Sequence, residues 1–468
     1  MSEPADLVVV GAGPAGMAAA VTALAGGLRV ALVDSGTAVG GQYWRHPPEH
    51  ARTAVPTEDL HHGLRRYRAL CAALSAGRAD GRLDLRLAHH AWSAVRGDDG
   101  FAVHAVDRRA APQETAVVLR APRLLVATGA YDRQLPFPGW DLPGVLTIGG
   151  LQALLKGGCV AAGSRVALGG TGPFLLPVAA GLAARGVEVV TVCEAAHPGA
   201  WLRHPGPLLR NPGKWAEGAG YAATLARHRV PVRPRTAIVA AEGRERVTSV
   251  RIASLAPDGS PRPGTERRVE ADAVGVGWGF APQLDLLVPL GCSLTDSADG
   301  NAVVAVDGGQ RTTVPGVYAA GETCGIGGAA LAVHEGRLAA RSVLADSRAA
   351  LGGDPATRLR PGDGPGPPDP SGLVLVADRH DRRVPLRGGD RRCDPGRPRR
   401  RRPRPPAGQA VDPGRDGLVP GADVRARRAL PHGTGTGVRA RGTARRDARH
   451  PRGARRPRRG TAGIGGPR

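Results

Sequence analysis

The chemistry available to this chain is concentrated in two glycine loops, each paired with an acid. The first is Gly11-Ala-Gly13-Pro14-Ala15-Gly16, with Asp34 placed 23 residues after Gly11 and Ser35 beside it. In such a loop the first glycine allows a tight turn and the second lets the backbone approach a pyrophosphate. The third lets a helix pack closely on its strand. The helix start offers unpaired N–H groups and a positive dipole to the phosphates. An acid ending the next strand, here Asp34, accepts ribose hydroxyls. Strand, turn, helix, strand and acid together are far more specific than the glycines alone. The second loop is Gly170-Thr-Gly172-Pro173-Phe-Leu175, followed by Glu194. Leu175 replaces the third glycine, so looser helix packing is expected. Glu194 favours NAD(H) over a 2′-phosphorylated nucleotide. A nucleotide fold that no longer binds is the competing reading.

Further candidates lie at strand ends. Gly40-Gly41-Gln42-Tyr43-Trp44 follows Asp34. Its glycines permit close approach to a cofactor, and the Gln42 amide can bond a flavin edge. A surface loop with two core aromatics accounts for these residue types equally well. Ala127-Thr128-Gly129 and Ala320-Gly321-Glu322 each end a strand, where doubly wound sheets gather their ligand crevice. Glu322 is the candidate acid for a ribitol hydroxyl; the alternative is a carboxylate interacting with a helix start. A helix expected over 328–344 points its positive end toward the flavin O2 region, stabilising negative charge on a reduced ring. His334 in that helix is a candidate proton donor, or else a packed or solvent-edge residue, and Cys324 is a lone thiol. No Ser-His-Asp set and no metal-ligand spacing stands out, and the catalytic base is not identified.

The elements that must hold these residues follow from hydrophobic period. Leu7–Val10, Pro14–Ala25 and Arg29–Val33 read as strand, helix and strand, the unit of a parallel sheet. The same order recurs over Arg165–Leu168, Gly169–Arg185 and Glu188–Val192. Between them lie a helical stretch over Glu58–Leu74 and strands near Leu83–Ala88, Phe101–Val106, Ala116–Leu119 and Leu124–Thr128. Strands over Ala271–Gly279 and Val317–Ala320 complete the set. The expected fold is α/β, with two Rossmann-like dinucleotide-binding domains, one inserted in the other. Residues 1–145 and 289–350 form the FAD-binding domain, 146–288 the inserted NAD-type domain, and 353–468 a tail.

The 468 residues carry a net charge of +23, which alone points to nucleic acid. The charge is not shared evenly. From Gly353 onward there are 29 Arg and 11 Asp but no Lys or Glu, leaving the first 352 residues at +5. The tail also lacks Phe, Trp and Tyr, the stacking residues of a single-strand binder, so no nucleic-acid role is expected. Its composition cannot build a packed core, and disorder is expected there. Six scattered cysteines without a C-x-x-C pair fit a reducing, cytoplasmic setting. The acid-bearing start is not that of a signal peptide, and no apolar run is long enough for a membrane span.

The segments Gly40-Gly-Gln-Tyr-Trp-Arg45, Ala127-Thr-Gly-Ala-Tyr-Asp-Arg133, Pro136-Phe-Pro-Gly-Trp140, Gly149-Gly-Leu-Gln-Ala-Leu-Leu-Lys156 and Gly172-Pro-Phe-Leu-Leu-Pro177 stand together. In combination the chain resembles the FAD/NAD-binding subunits of opine oxidases, hydrogen cyanide synthase and dye-linked proline dehydrogenases. The sarcosine oxidase large subunit is a more distant relative. The resemblance spans about residues 5–345 and implies a disulfide-reductase-like fold without the redox cysteine pair. It implies an FAD-dependent oxidoreductase, with NAD at the second loop. It also implies a second flavin subunit that oxidises a small amine or amino-acid derivative. A stand-alone NADH-dependent reductase is the alternative.

Relatives of this kind carry a C-terminal cysteine domain resembling bacterioferritin-associated ferredoxin, hence an iron–sulfur cluster. This chain does not support one: its tail has only Cys393, and a cluster needs four ligands. A shifted reading frame accounts for the difference. With suitable synonymous codons, Val384–Arg391 read one base later becomes Cys-Arg-Cys-Glu-Glu-Val-Thr, and Leu418–Val424 becomes Trp-Cys-Gln-Gly-Arg-Met-Cys. In-frame sequence is then expected to end between about Ala345 and Ser371.

Overall fold

The computed structural model describes residues 4–47, 61–197, 212–297 and 299–351. The Arg-rich tail and the start of the helix expected over 58–74 lie outside them. Leu7–Val10 is buried along its whole length, as a central parallel strand must be when both faces are covered. It pairs in parallel with Val30–Val33 on one side and Leu124–Val126 on the other. Leu83–Arg86 and Val317–Ala319 extend the sheet outward, also in parallel. A second five-stranded parallel sheet repeats the plan. Arg165–Gly170 lies between Glu188–Glu194 and Ala273–Gly277, with Val232–Pro234 and Val145–Thr147 at the edges. In both sheets the chain leaves the glycine-loop strand on one side and returns on the other. That reversal opens a crevice at the carboxyl ends of the strands.

The helices are α1 Pro14–Ala25, α2 Leu64–Ala79, α3 Ile148–Gly158, α4 Leu175–Ala183, α5 Pro212–Arg227 and α6 Ala329–Leu351. In α1, Pro14 takes the first turn, where its missing N–H costs nothing. Its alanines give high helix propensity and a thin profile, and Gly26-Gly27 ends it. Thinness matters because α1 packs on the first sheet and against α6: a Cβ on Gly26 would meet Leu344 Cδ2 at 2.3 Å. Leu7, Val9, Leu32, Met17, Ala20 and Val343 share this apolar layer. The opposite face of the sheet, with Val8, Val10 and Val126, packs on Phe101, Val103 and Leu119.

Those last residues belong to a three-stranded antiparallel meander, His89–Gly97, Gly100–Asp107 and Thr115–Ala121. The second half has its own, Thr236–Gly243, Val247–Ser254 and Arg267–Glu270. A short antiparallel ribbon, Ala130–Asp132 with Phe280–Pro282, ties the two halves together.

Several elements depart from the sequence expectation. Helix α2 begins only at Leu64, behind Gly63 in the left-handed region (φ 71°), and runs on to Ala79. The strand His89–Gly97 is not marked in the sequence, because only its His89 and Ala94 are buried and no clean alternation results. Helix α4 starts at Leu175, well after Gly170, and α6 continues past residue 344 to Leu351.

Candidate functional site

The first glycine loop is built by close approaches that no other residue type allows. A Cβ on Gly11, whose φ is +101°, would lie 2.2 Å from the Ala127 carbonyl oxygen. A Cβ on Gly16 would lie 1.7 Å from the Gly11 oxygen, so α1 sits directly on its strand. Gly13 differs: the only atom near its notional Cβ is the Gly41 Cα, at 4.0 Å. The space in front of it is open, and its N-cap position carries no side-chain cap on α1. Gly41, at φ +58°, would put a Cβ 2.8 Å from the Gly13 Cα. The 40–41 turn therefore packs directly on the first glycine loop, and the bare backbone they present together at the start of α1 forms a cradle that fits a pyrophosphate.

Asp34 closes one end of the first loop. Its carboxylate accepts the Ala12 N–H at 2.5 Å and the Gly36 N–H at 2.6 Å. Burial raises its pKa, while those two N–H groups and the Arg45 charge act in the opposite direction. Ser35 beside it is exposed. Gln42 is exposed and accepts from Arg45 Nε at 3.0 Å. Thr128 donates its hydroxyl to the Gln283 carbonyl at 3.0 Å, and the Gly129 carbonyl accepts the Gln283 N–H at 2.9 Å. These two residues thus tie the strand end to the segment returning from the second half.

At the other end of the cradle, Gly321 and α6 meet Ala15. A Cβ on Gly321 would lie 3.0 Å from the Ala15 Cβ, and one on Gly336 would lie 2.1 Å from the Ala15 oxygen. Glu335 accepts the Gly321 N–H at 2.7 Å. Burial pushes Glu335 up to about 7, reinforced by the Glu322 carboxylate and opposed by the Gly321 hydrogen bond. Burial alone raises Glu322, whose carboxylate has no hydrogen-bond partner among the described residues. Burial, and secondarily Glu335, lifts the Cys324 thiol to about 12, so it stays protonated. His334 is exposed. Its neighbour Glu335 is the residue turned toward the Gly321 turn.

The second loop copies the first with differences. Glu194 accepts Thr171 Oγ1 at 2.9 Å, the Gly172 N–H at 3.1 Å and the Ala196 N–H at 2.9 Å. Thr171 corresponds to Ala12 and Ala196 to Gly36 in the first set. Burial raises Glu194, and these donors counter it. Gly170 would place a Cβ 1.7 Å from the Gly277 oxygen, while Gly172 faces open space. Pro173 precedes α4, whose start is set back. Phe174 stands where the first loop has Ala15, and its ring lies 5.3 Å from that of Phe280. Two residues before Phe280, the Trp278 indole nitrogen is buried without a partner among the described residues.

The predicted residues therefore gather in two groups, one per sheet. Sequence reasoning missed Glu335 and Gly336, since nothing in an amphipathic helix marks which acid turns inward. It also gave no role to Arg45 or Lys156. A cavity of about 830 Å³ lies at the opposite, amino end of the first sheet, lined by Arg123, Arg311, Tyr318 and Asp346. There Arg311 and Tyr318 already satisfy Asp346, at 2.8 Å twice and 2.6 Å.

Comparison with known proteins agrees with this geometry. Residues 5–336 match the model of the pyridine nucleotide-disulphide oxidoreductase family. The hydrogen cyanide synthase subunit HcnB of Pseudomonas protegens is 34% identical over 358 residues, covering 76% of this chain and 73% of that protein. An opine oxidase subunit of Agrobacterium tumefaciens is 35% identical over 354 residues, covering 74% and 66%. Among solved structures, thioredoxin reductase of T. acidophilum superposes with a TM-score of 0.52 at 22% identity, over 74% of this chain and 99% of that one. L-proline dehydrogenase of P. horikoshii gives 0.50 at 19%, over 74% and 56%. These last two show the shared two-domain α/β fold. With its twin glycine loops and their acids, the chain belongs to the pyridine nucleotide-disulphide oxidoreductase family and is an FAD-dependent oxidoreductase.

Proposed function

We propose that this chain is the electron-transferring flavin subunit of a heteromeric enzyme that oxidises a small amine or amino-acid derivative of the opine type. FAD is assigned to the domain of residues 1–145 and 289–350, and NAD to the inserted domain of residues 146–288. The observation that carries the flavin assignment is the bare backbone of the Gly11–Gly16 turn at the start of α1, where among the described residues a Gly13 Cβ would meet no atom nearer than the Gly41 Cα at 4.0 Å. Asp34 holds the adenosine ribose there, Gly321 and Glu322 meet the ribitol, and the α1 start supplies N–H groups to the phosphates. FAD supplies two-electron acceptance; the protein binds, orients and electrostatically tunes it. The heteromeric reading rests on relatives that are themselves named as subunits, HcnB of hydrogen cyanide synthase and its opine oxidase counterpart. Glu194, already bonded to its loop at three points, repels a 2′-phosphate and supports NAD(H) at the second loop.

Rapid-mixing reduction of the purified full chain separates the possibilities. The proposal expects the amine to bleach the flavin only when the co-expressed partner protein is present. It also expects any pyridine nucleotide effect to come from NADH rather than NADPH. Stoichiometric bleaching by NADH without a partner would establish the stand-alone reductase instead. NADPH reducing at or above the NADH rate would remove the assignment of Glu194.

A further inference from the structure

The segment ending in Lys156 has no nucleotide-binding motif, yet its side chain is 6% exposed. Lys156 ends the apolar face of α3, the first helix of the inserted half, and reaches into the first half. Its ammonium donates to the Tyr43 carbonyl at 3.2 Å and lies 5.8 Å from the centre of the Tyr43 ring. The next residue, Gly157, packs on the stem of Arg45, where a Cβ would meet Cδ at 3.2 Å and Cγ at 3.3 Å. Tyr43 and Arg45 belong to the loop whose Gly41 abuts Gly13. A continuous line of contacts therefore runs from α3 through residues 41–45 to the cradle. A buried ammonium with one carbonyl acceptor is costly, and a methionine of similar length would fill the same volume without that cost. Packing alone does not account for the lysine.

We propose that Lys156 is a positioning residue that clamps the 41–45 loop over the first nucleotide loop. It supplies positive charge beside an anionic dinucleotide, so cofactor retention depends on the docking of the inserted half. This rests on the assignment of FAD to the first loop. The groups facing Lys156 are the Tyr43 carbonyl and ring on the loop, with Arg45 alongside. Helix α3 has no other ionisable side chain. Burial lowers Lys156 to about 8, so the charge that favours the bound dinucleotide is present below that pH and lost above it.

The test uses the full-length holoprotein, with FAD release on dilution read by flavin fluorescence. Lys156→Met is expected to raise the FAD Kd about tenfold. Lys156→Arg should restore most of it, and the melting temperature of the FAD-free form should stay nearly constant. The wild-type Kd should rise between pH 7 and 9, while that of Lys156→Met should not. Gly157→Val, which displaces Arg45 without touching the lysine, should also loosen FAD. Wild-type Kd in both Lys156→Met and Gly157→Val would overturn the proposal. So would a Kd change matched by an equal loss of FAD-free stability with no change in pH profile. A wild type that takes up no FAD would instead remove the flavin assignment itself.

Discussion

At the scale of single residues, the site depends on groups held away from their ordinary state. Gly13 is the clearest case, because the only neighbour of its notional Cβ is 4.0 Å away. Gly13→Val is therefore expected to leave the fold intact while filling the cradle. The purified variant should be colourless where the wild type is yellow, with FAD affinity reduced at least tenfold, or about 1.4 kcal/mol. A variant that stays yellow after dialysis contradicts the pyrophosphate assignment. Glu335 gives a prediction in pH. Its folded pKa of about 7 lies above the ordinary glutamate value of 4.5, so the folded protein binds more protons than the unfolded chain between those values. Stability consequently falls as pH rises through this window, by up to about 3 kcal/mol. Glu335→Gln keeps an acceptor for the Gly321 N–H and removes the titration. Its stability to urea should decline less between pH 5 and 8 than that of the wild type, the remainder belonging to other buried carboxyls such as Glu322. Parallel profiles would show that Glu335 is not the group responsible.

At the scale of elements, the cofactor end of the molecule is a three-way junction of α1, α6 and the turn after Val317–Ala319. Ala15, Gly321 and Gly336 are small because the backbones approach so closely there. In Gly336→Ala the new methyl would fall 2.1 Å from the Ala15 oxygen, so α6 must move away from α1. Overpacking of this kind costs about 1–3 kcal/mol. Because Glu335 moves with α6, the Gly321 turn should loosen as well, and thermal melting and FAD release should worsen together. Gly129→Ala is the contrasting control. Nothing lies within 4 Å of its Cβ position, but its φ of +82° strains any alanine, at about 1 kcal/mol. It should lose stability with little effect on the α1–α6 contact.

At the scale of the whole molecule, the described residues fall within one compact unit, and no helix among them is long and apolar enough to cross a membrane. The Arg-rich tail offers no aromatic side chain and a net charge of +18 from 29 Arg and 11 Asp. Ordering it would cost roughly 1–2 kcal/mol per residue with little apolar area to offset this. A chain stopped after Leu351 is expected to retain FAD and to melt within a few degrees of the full chain, as absorbance and calorimetry would show. Loss of flavin in the shortened chain would mean that the tail supports the site.

Much of this protein was legible in its sequence because the signals were local. A strand buried on both faces reads as a run of valines, and a phosphate loop reads as glycines at fixed offsets. That Asp34 and Glu194 lie against those loops was legible because they come at the ends of the strands that follow. The placement of Leu7–Val10 and Pro14–Ala25 needed nothing beyond period and turn chemistry. The strand His89–Gly97 escaped because it is mostly exposed, leaving no alternation to read. Glu335, Gly336 and Lys156 escaped for a different reason. Each acts on a residue distant in sequence, Gly321, Ala15 and Tyr43 respectively, and one helix turn looks like another until its neighbour is known. Only tertiary packing decides that Glu335 rather than His334 turns inward, since adjacent helix positions face different directions. Likewise, only the docking of α3 against residues 41–45 brings Lys156 to the first loop, because its acceptor on Tyr43 lies 113 residues earlier in the chain.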